Sequence, residues 1–203
     1  LIAKQFLEQS KPQVILGGGE DRWYPVGNPG AFPDAPAEDP SERSIGTEGN
    51  LVERAKTLGY EYVTNTAQLK AAKSDKILGL FANEEMFQQK PEGQGDVYNP
   101  TVSLADMTSK AISTLSRDRD GFFLLVEEEG IDEMAHQSNA GQVIKAGANL
   151  DSAVAVAVAY AKKNRDTLVI VVADHETGSL AIEDIPELQQ DPKYPNERGE
   201  GRT

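Results

Sequence analysis

The sequence predicts an α/β fold of three layers, α/β/α, around a mostly parallel central sheet. Two observations carry that prediction. The short runs Val14-Ile15-Leu16, Ile77-Leu78, Phe122-Phe123-Leu124-Leu125-Val126 and Leu168-Val169-Ile170-Val171-Val172 are continuously apolar, as strands buried on both faces are. Segments with helical apolar spacing alternate with them, which places helices on both sides of a parallel sheet. A chain of 203 residues, 38% hydrophobic and 26% charged, is one globular domain or slightly more and can bury a sizeable core.

The elements follow in order. Leu1 to Gln9 reads as the end of a helix, and Val14 to Leu16 as a strand after Pro12. Gly17-Gly18-Gly19 breaks that strand; it lacks the spacing of a phosphate loop and reads as a tight turn. Residues 20–49, rich in Pro, Gly, Asp and Glu, read as a long surface excursion, mobile or packed on a partner. Trp23 and Tyr24 within it read as packing anchors. Leu51 to Leu58 has helical spacing and stops at Gly59. Tyr60 to Thr64 is a strand, Thr66 to Lys73 a helix, Lys76 to Phe81 a strand, and Asn83 to Asp96 a polar loop. From Pro100 to Ser116, Leu104, Met107, Ala111, Ile112 and Leu115 make one apolar helix face. Gly121 to Val126 is a strand, Asn149 to Lys163 an Ala- and Val-rich helix, and Thr167 to Ala173 the strongest strand of all. Residues 185–203 read as a polar tail or the start of an insertion. No internal repeat is visible.

Composition excludes several functions. Asp and Glu number 33 against 20 Lys and Arg, a net charge of −13; nucleic-acid binding needs a basic face. Cysteine is absent, so there is no disulfide framework, thiolate zinc site or thiol nucleophile. No run approaches the ~18 consecutive apolar residues of a membrane span. There is no initial Met and no signal-peptide layout, so the expectation is that the chain begins inside a longer protein or after processing. The two histidines are too few for a histidine-rich site.

Both histidines lie just beyond the C-terminal end of an apolar run, the edge where open α/β sheets bind ligands. One cluster is Glu127-Glu128-Glu129-Gly130-Ile131-Asp132-Glu133-Met134-Ala135-His136, the other Asp174-His175-Glu176-Thr177-Gly178. Carboxylate oxygen and imidazole nitrogen together suit Zn²⁺, and oxygen alone suits Mg²⁺. The i, i+4 spacing of Asp132 and His136 puts both on one helix face, whereas Asp174 and His175 need a loop. Each piece also has a plain reading: a solvated Asp-x-x-x-His, a surface charge run, a turn that caps the next helix. The combination is more specific, because every histidine follows a strand end and has carboxylates beside it.

At these residues the chain resembles the alkaline phosphatase family. Gly121 to Glu127 followed by Ile131-Asp132 and His136 is similar to one metal segment of that family, and Thr167 to Gly178 to the next. Val14-Ile-Leu-Gly-Gly-Gly19 and Ile77-Leu-Gly-Leu-Phe81 are similar to upstream segments, in the family's order. The resemblance covers roughly residues 1 to 184, one catalytic domain whose sheet would be incomplete. It implies hydrolysis of phosphate monoesters through a phosphoserine, with two zinc ions and one magnesium. By that resemblance Asp132 and His136 are ligands of one zinc, Asp174 and His175 of the other, and Glu127 of the magnesium. It also implies an exported enzyme, periplasmic or extracellular, and a homodimer by analogy.

The resemblance leaves parts unfilled. The family's nucleophilic serine, a metal-binding Asp and a phosphate-clamping Arg come from a region earlier than these segments, and a further zinc-ligand histidine from far later. The expectation is therefore a central fragment, inactive alone. Asp151-Ser152-Ala153 copies the Asp-Ser-Ala of the nucleophile but sits between the metal segments rather than before them. It reads as a decoy, with Asp151 near the N-terminus of its helix. Glu133 stands where family members carry phosphate-holding side chains; an ionised Glu repels phosphate. Glu128, Glu129 and Glu176 read as supporting or solvated. The alternative from another class is a non-catalytic metal-binding or interaction domain of the same fold. A sulfatase-like or mutase-like enzyme is a third, disfavoured by the Glu127/Asp132/His136 spacing.

Overall fold

The computed structural model describes residues 2–37, 39–87 and 97–178. The fold is α/β. Helix α1 (Ile2–Gln5) runs into a π-helical turn, Phe6–Ser10, and leads to β1 (Val14–Gly17). Then come α2 (Leu51–Thr57), β2 (Glu61–Val63), α3 (Thr66–Ala71) and β3 (Ile77–Leu80). Helices α4 (Leu104–Leu115), α5 (Gly130–His136) and α6 (Ala140–Lys163) follow, and a single 3₁₀ turn, Glu20–Arg22, comes after β1. The helices start where side chains cap them. Asn50, Asn65, Ser103 and Asn139 each accept from the backbone N–H three residues on, which satisfies a donor the helix leaves free.

Among the described residues the sheet has three parallel strands in the order β1-β3-β2. The central strand alternates between two cores. Leu78 and Leu80 face Leu7, Trp23, Leu51 and Val52, while Ile77 and Phe81 face Leu69, Val102, Leu104 and Met107. Two-sided burial explains why β3 reads as a continuous apolar run. Phe81 is wholly buried at the hinge between β3 and the loops beyond it. Phe81→Ala is expected to cost about 3–5 kcal/mol, read as a lower urea midpoint with an unchanged slope.

Residues 20–49 pack onto the domain. Trp23 and Tyr24 are buried in the first core. The carboxylate of Glu20, itself buried, accepts from Ala31 N and Phe32 N, each at 2.9 Å, and from Tyr62 Oη at 2.5 Å. One buried acid thereby folds the excursion back onto β2. Polar composition concealed this, because the apolar anchors are few and the rest of the holding is by hydrogen bonds.

Three sequence expectations are corrected. The runs 121–126 and 167–173 are extended but belong to no sheet among the described residues. Burial alternates along the first run, where Phe122 packs its ring on Tyr160 of α6 at 5.9 Å while Phe123 and Leu125 stand exposed; in the second Leu168, Ile170, Val171 and Val172 are all exposed. A strand needs a neighbouring edge, and no described segment offers one to these runs. Second, α6 begins at Ala140, not near Asn149. Gly141 and Gly147 lower local helix propensity, but Asn139 caps the start and Val143, Ala146 and Leu150 pack inward. Third, Asp151 therefore lies inside α6, away from the N-terminus where its charge would help. The expected tail, residues 185–203, lies outside the described residues.

Helix α6 is also the one described helix with the length and composition to cross a membrane, 24 residues long with a mean hydropathy of 1.2 over an 18-residue stretch of it. It packs against α4 and α5.

Candidate metal centre

Helix α5 places Asp132 and His136 one turn apart on one face, with Asp132 Oδ2 3.3 Å from His136 Nε2. Buried Met134 and Ala135 hold the opposite face against the protein. The loop after the 167–173 run brings Asp174 and His175 to the same place. His175 Nδ1 lies 4.0 Å from Asp132 Oδ1, and its Nε2 lies 3.4 Å from Asp174 Oδ2. Asp132 is thus the hub that faces both imidazoles. It is also the most sheltered of the group, 34% exposed against 61% for each histidine.

Thr177 closes the arrangement. Its hydroxyl donates to Asp132 Oδ1 and lies 3.1 Å from His175 Nδ1. Spacing arguments passed over Thr177, because its role depends on a contact made 45 residues away. Gly178 follows, with φ +70°, and its backbone lies directly against the Ala135 carbonyl. Only a residue without a side chain fits there. His175 Nδ1 also lies 3.1 Å from the Glu176 carbonyl oxygen. That contact, then the charges of Asp174 and Asp132, raises the pKa of His175 above its ordinary value. A protonated Nδ1 donating to this carbonyl leaves the Nε2 lone pair free to act as a ligand.

Glu127 is placed differently. It lines a cavity of about 590 Å³ with Glu128 and Glu129, facing Gly17, Gly18 and Gly19 at the end of β1. The cavity is therefore next to the histidine cluster rather than at it. Beside it the carboxylates of Glu85, Glu129 and Glu133 gather, with one oxygen from each within 4.8 Å of the others. Glu129 keeps an exposed side, but its carboxyl is sunk among neighbours. Burial first, then repulsion from Glu133, Glu127, Asp132 and Glu128, raises its pKa. Glu133, expected to bear on phosphate, faces this acidic group.

Glu128 is more than a solvated acid. It accepts from Tyr98 Oη at 2.5 Å and from Asn149 Nδ2 at 2.8 Å. Burial and the bond to Glu128 raise the pKa of the Tyr98 phenol, so it keeps its proton. No sequence signal links Tyr98, Glu128 and Asn149, which come from three separate parts of the chain.

Ser152 lies within α6, exposed, with its hydroxyl donating to the Ala148 carbonyl at 2.9 Å. It is on a different helix from the Asp132 cluster, and no contact joins it to Asp132, His136, Asp174 or His175 among the described residues.

The donor set itself tests for a metal. Two carboxylates and two imidazoles converge with no lysine or arginine to balance them among the described residues. A mixed oxygen and nitrogen set of this kind fits Zn²⁺. The oxygen-only group of Glu85, Glu129 and Glu133, which does not include Glu127, suits a harder cation such as Mg²⁺.

Comparison with known proteins gives the same direction. The family model described as alkaline phosphatase matches residues 1–193. Alkaline phosphatase 4 of Bacillus subtilis (strain 168) is 38% identical over 133 residues, 66% of this chain and 28% of that protein. Alkaline phosphatase of Escherichia coli (strain K12) is 33% identical over 202 residues, covering 89% of this chain and 40% of the relative. The crystal structure of Thermus thermophilus alkaline phosphatase superposes with a TM-score of 0.68 at 29% identity, over 87% of this chain and 33% of that one. The chain spans about a third of the length of the proteins it matches.

Proposed function

Because the chain belongs to the alkaline phosphatase family, we propose that it supplies the metal-binding part of a phosphate monoester hydrolase. The observation that carries this reading is the meeting of α5 with the 174–178 loop, where Asp132 faces both histidines. In the proposed assignment Asp132 and His136 hold one zinc, Asp174 and His175 the other, and Glu127 contributes to a magnesium site. When bound, such metals lower the pKa of a hydroxyl or water and stabilise the attacking and leaving oxygens of an in-line displacement.

The chain's own residues prepare that chemistry. Helix α5 fixes the separation of Asp132 and His136, so two ligands are ordered before any cation arrives. Thr177 donates to one Asp132 oxygen, which orients the carboxylate and leaves Oδ2 toward His136. The Glu176 carbonyl sets the His175 ring. The nucleophile is assigned to a segment outside this chain, and Ser152 to an ordinary helical position.

The exposed apolar side chains of the 121–126 and 167–173 runs support a larger assembly, since large exposed apolar patches are usually covered. We assign the cover to further segments of the full-length phosphatase, and α6 to its core rather than to a membrane. Export and homodimer formation are carried over by family analogy.

The isolated chain is expected to bind divalent metal weakly and to show no turnover of p-nitrophenyl phosphate. The full-length enzyme should show turnover that a chelator abolishes and zinc restores. Robust hydrolysis by the isolated chain would defeat this division of labour. In the full-length enzyme Ser152→Ala should leave kcat within twofold of the parent, by the motif-in-context argument; loss of a phosphoenzyme in that variant would reverse the assignment.

A further inference from the structure

We infer that Tyr98, Glu128 and Asn149 form a clamp that positions the segment from Glu127 to His136 for cation capture. The inference rests on the metal reading above. Tyr98 lies in the loop before α4, Asn149 on α6, and Glu128 just ahead of α5. Tyr98 Oη donates to Glu128 Oε2 at 2.5 Å, and Asn149 Nδ2 reaches both Tyr98 Oη at 2.6 Å and Glu128 Oε2 at 2.8 Å. The other Glu128 oxygen accepts from Gly130 N, the first residue of α5, at 3.2 Å. The carboxylate thus ties α5 to α6 and to the Tyr98 loop at once.

The ring of Tyr98 adds a steric limit. It is buried, stacks on Phe87 with centroids 6.5 Å apart, and packs with Met134 and Ala146. A Cβ on Gly130 would stand 2.5 Å from Tyr98 Cε2, so the start of α5 lies flush on the ring. Glu128 is next to Glu127 in sequence and one helical turn before Asp132. Rotation of the chain at Glu128 would therefore displace both Glu127 and Asp132. Three hydrogen bonds on one carboxylate oppose that rotation. Tyr98, Glu128 and Asn149 are positioning residues: each acts through the backbone they hold and not on substrate.

The network separates two jobs that a single substitution can split. Tyr98→Phe keeps the ring and its packing and removes only the hydroxyl. Asn149→Leu removes the α6 arm and keeps helical shape. Glu128→Gln keeps one acceptor oxygen but turns an N–H₂ toward other donors, so it should recover part of the function that Glu128→Ala loses.

The test uses the full-length phosphatase. Each variant is measured for divalent metal affinity, for kcat and KM at saturating and limiting metal, and for amide hydrogen exchange in α5. Tyr98→Phe and Asn149→Leu should weaken metal affinity ~10-fold or more, as is typical of groups that orient ligands. Excess metal should restore kcat, KM should change little, and exchange at Gly130 to His136 should quicken. Glu128→Gln should fall between the parent and Glu128→Ala. Unchanged α5 exchange in Tyr98→Phe overturns the clamp. Faster exchange with unaltered metal affinity overturns the positioning role and leaves a packing contact. A parent enzyme without stoichiometric metal, indifferent to Asp132→Asn, overturns the metal reading and the role built on it; the exchange arm tells that failure from a failure of the clamp alone.

Discussion

Asp132→Asn in the full-length enzyme is expected to lower kcat/KM for p-nitrophenyl phosphate by about 10³-fold, or about 4 kcal/mol of transition-state stabilisation. Among the described residues Asp132 is the one acid that faces both imidazoles, at 3.3 Å from His136 and 4.0 Å from His175. The amide keeps the shape and can still accept from Thr177. It removes the negative charge and replaces one ligand oxygen with a donor, which repels a cation. The loss should therefore fall on metal content as well as on turnover, with metal measured per protein after gel filtration. The fold should survive, because the Asp132 side chain is a third exposed. A variant with parental metal content and parental turnover would remove Asp132 from the proposed centre.

Gly178→Ala should produce nearly as large a defect by a different route. At φ +70° a non-glycine residue is strained, by about 1–2 kcal/mol. The added Cβ would also collide with the Ala135 carbonyl, which is part of α5 and cannot rotate away. Relief requires the 174–178 loop to back off from α5. Thr177 would then lose Asp132, and His175 would leave its place opposite it. Expected results are a loss of activity of about 10²-fold, as for a misplacement of about 1 Å, weaker metal retention, and a small drop in Tm. Addition of metal should restore this variant less than it restores Tyr98→Phe, since here the ligand pairs are pushed apart. Parental kinetics would show that the two segments do not need this close approach.

The part of the fold readable from residues alone is the part set by short-range pattern. Val14 to Leu16 and Ile77 to Leu80 are apolar on both faces and become paired strands, the second buried by cores on both sides and the first half-buried, with Ile15 against one core and Leu16 against the other. Leu104, Met107, Ala111, Ile112 and Leu115 repeat at helical spacing and become the buried face of α4. The start of α6 was hidden because two glycines argue locally for a break, and packing of Ala146 and Leu150 outweighs them. Runs 121–126 and 167–173 have strand composition, yet strand pairing is a relation between two segments, and composition describes one. How the excursion at residues 20–49 is held is hidden for a similar reason: a single buried carboxylate, Glu20, organises it through partners 11, 12 and 42 residues away.

The candidate centre divides along the same line. Residue type and spacing were enough to single out Asp132, His136, Asp174 and His175, because metal chemistry demands oxygen and nitrogen donors and an i, i+4 pair shares a helix face. Setting Ser152 apart takes the family resemblance as well, since only the family's order of segments distinguishes its Asp-Ser-Ala from the nucleophile's. Spacing says nothing about Thr177, Gly178, Tyr98 or Asn149. Threonine, glycine, tyrosine and asparagine are common everywhere, and these four matter through neighbours 21 to 51 residues distant or through the close passage of one backbone against another. Chemical identity is local and is written in the chain. The orientation of ligands depends on which distant segments pack against them, and burial and long-range hydrogen bonding choose those segments only once the chain is folded.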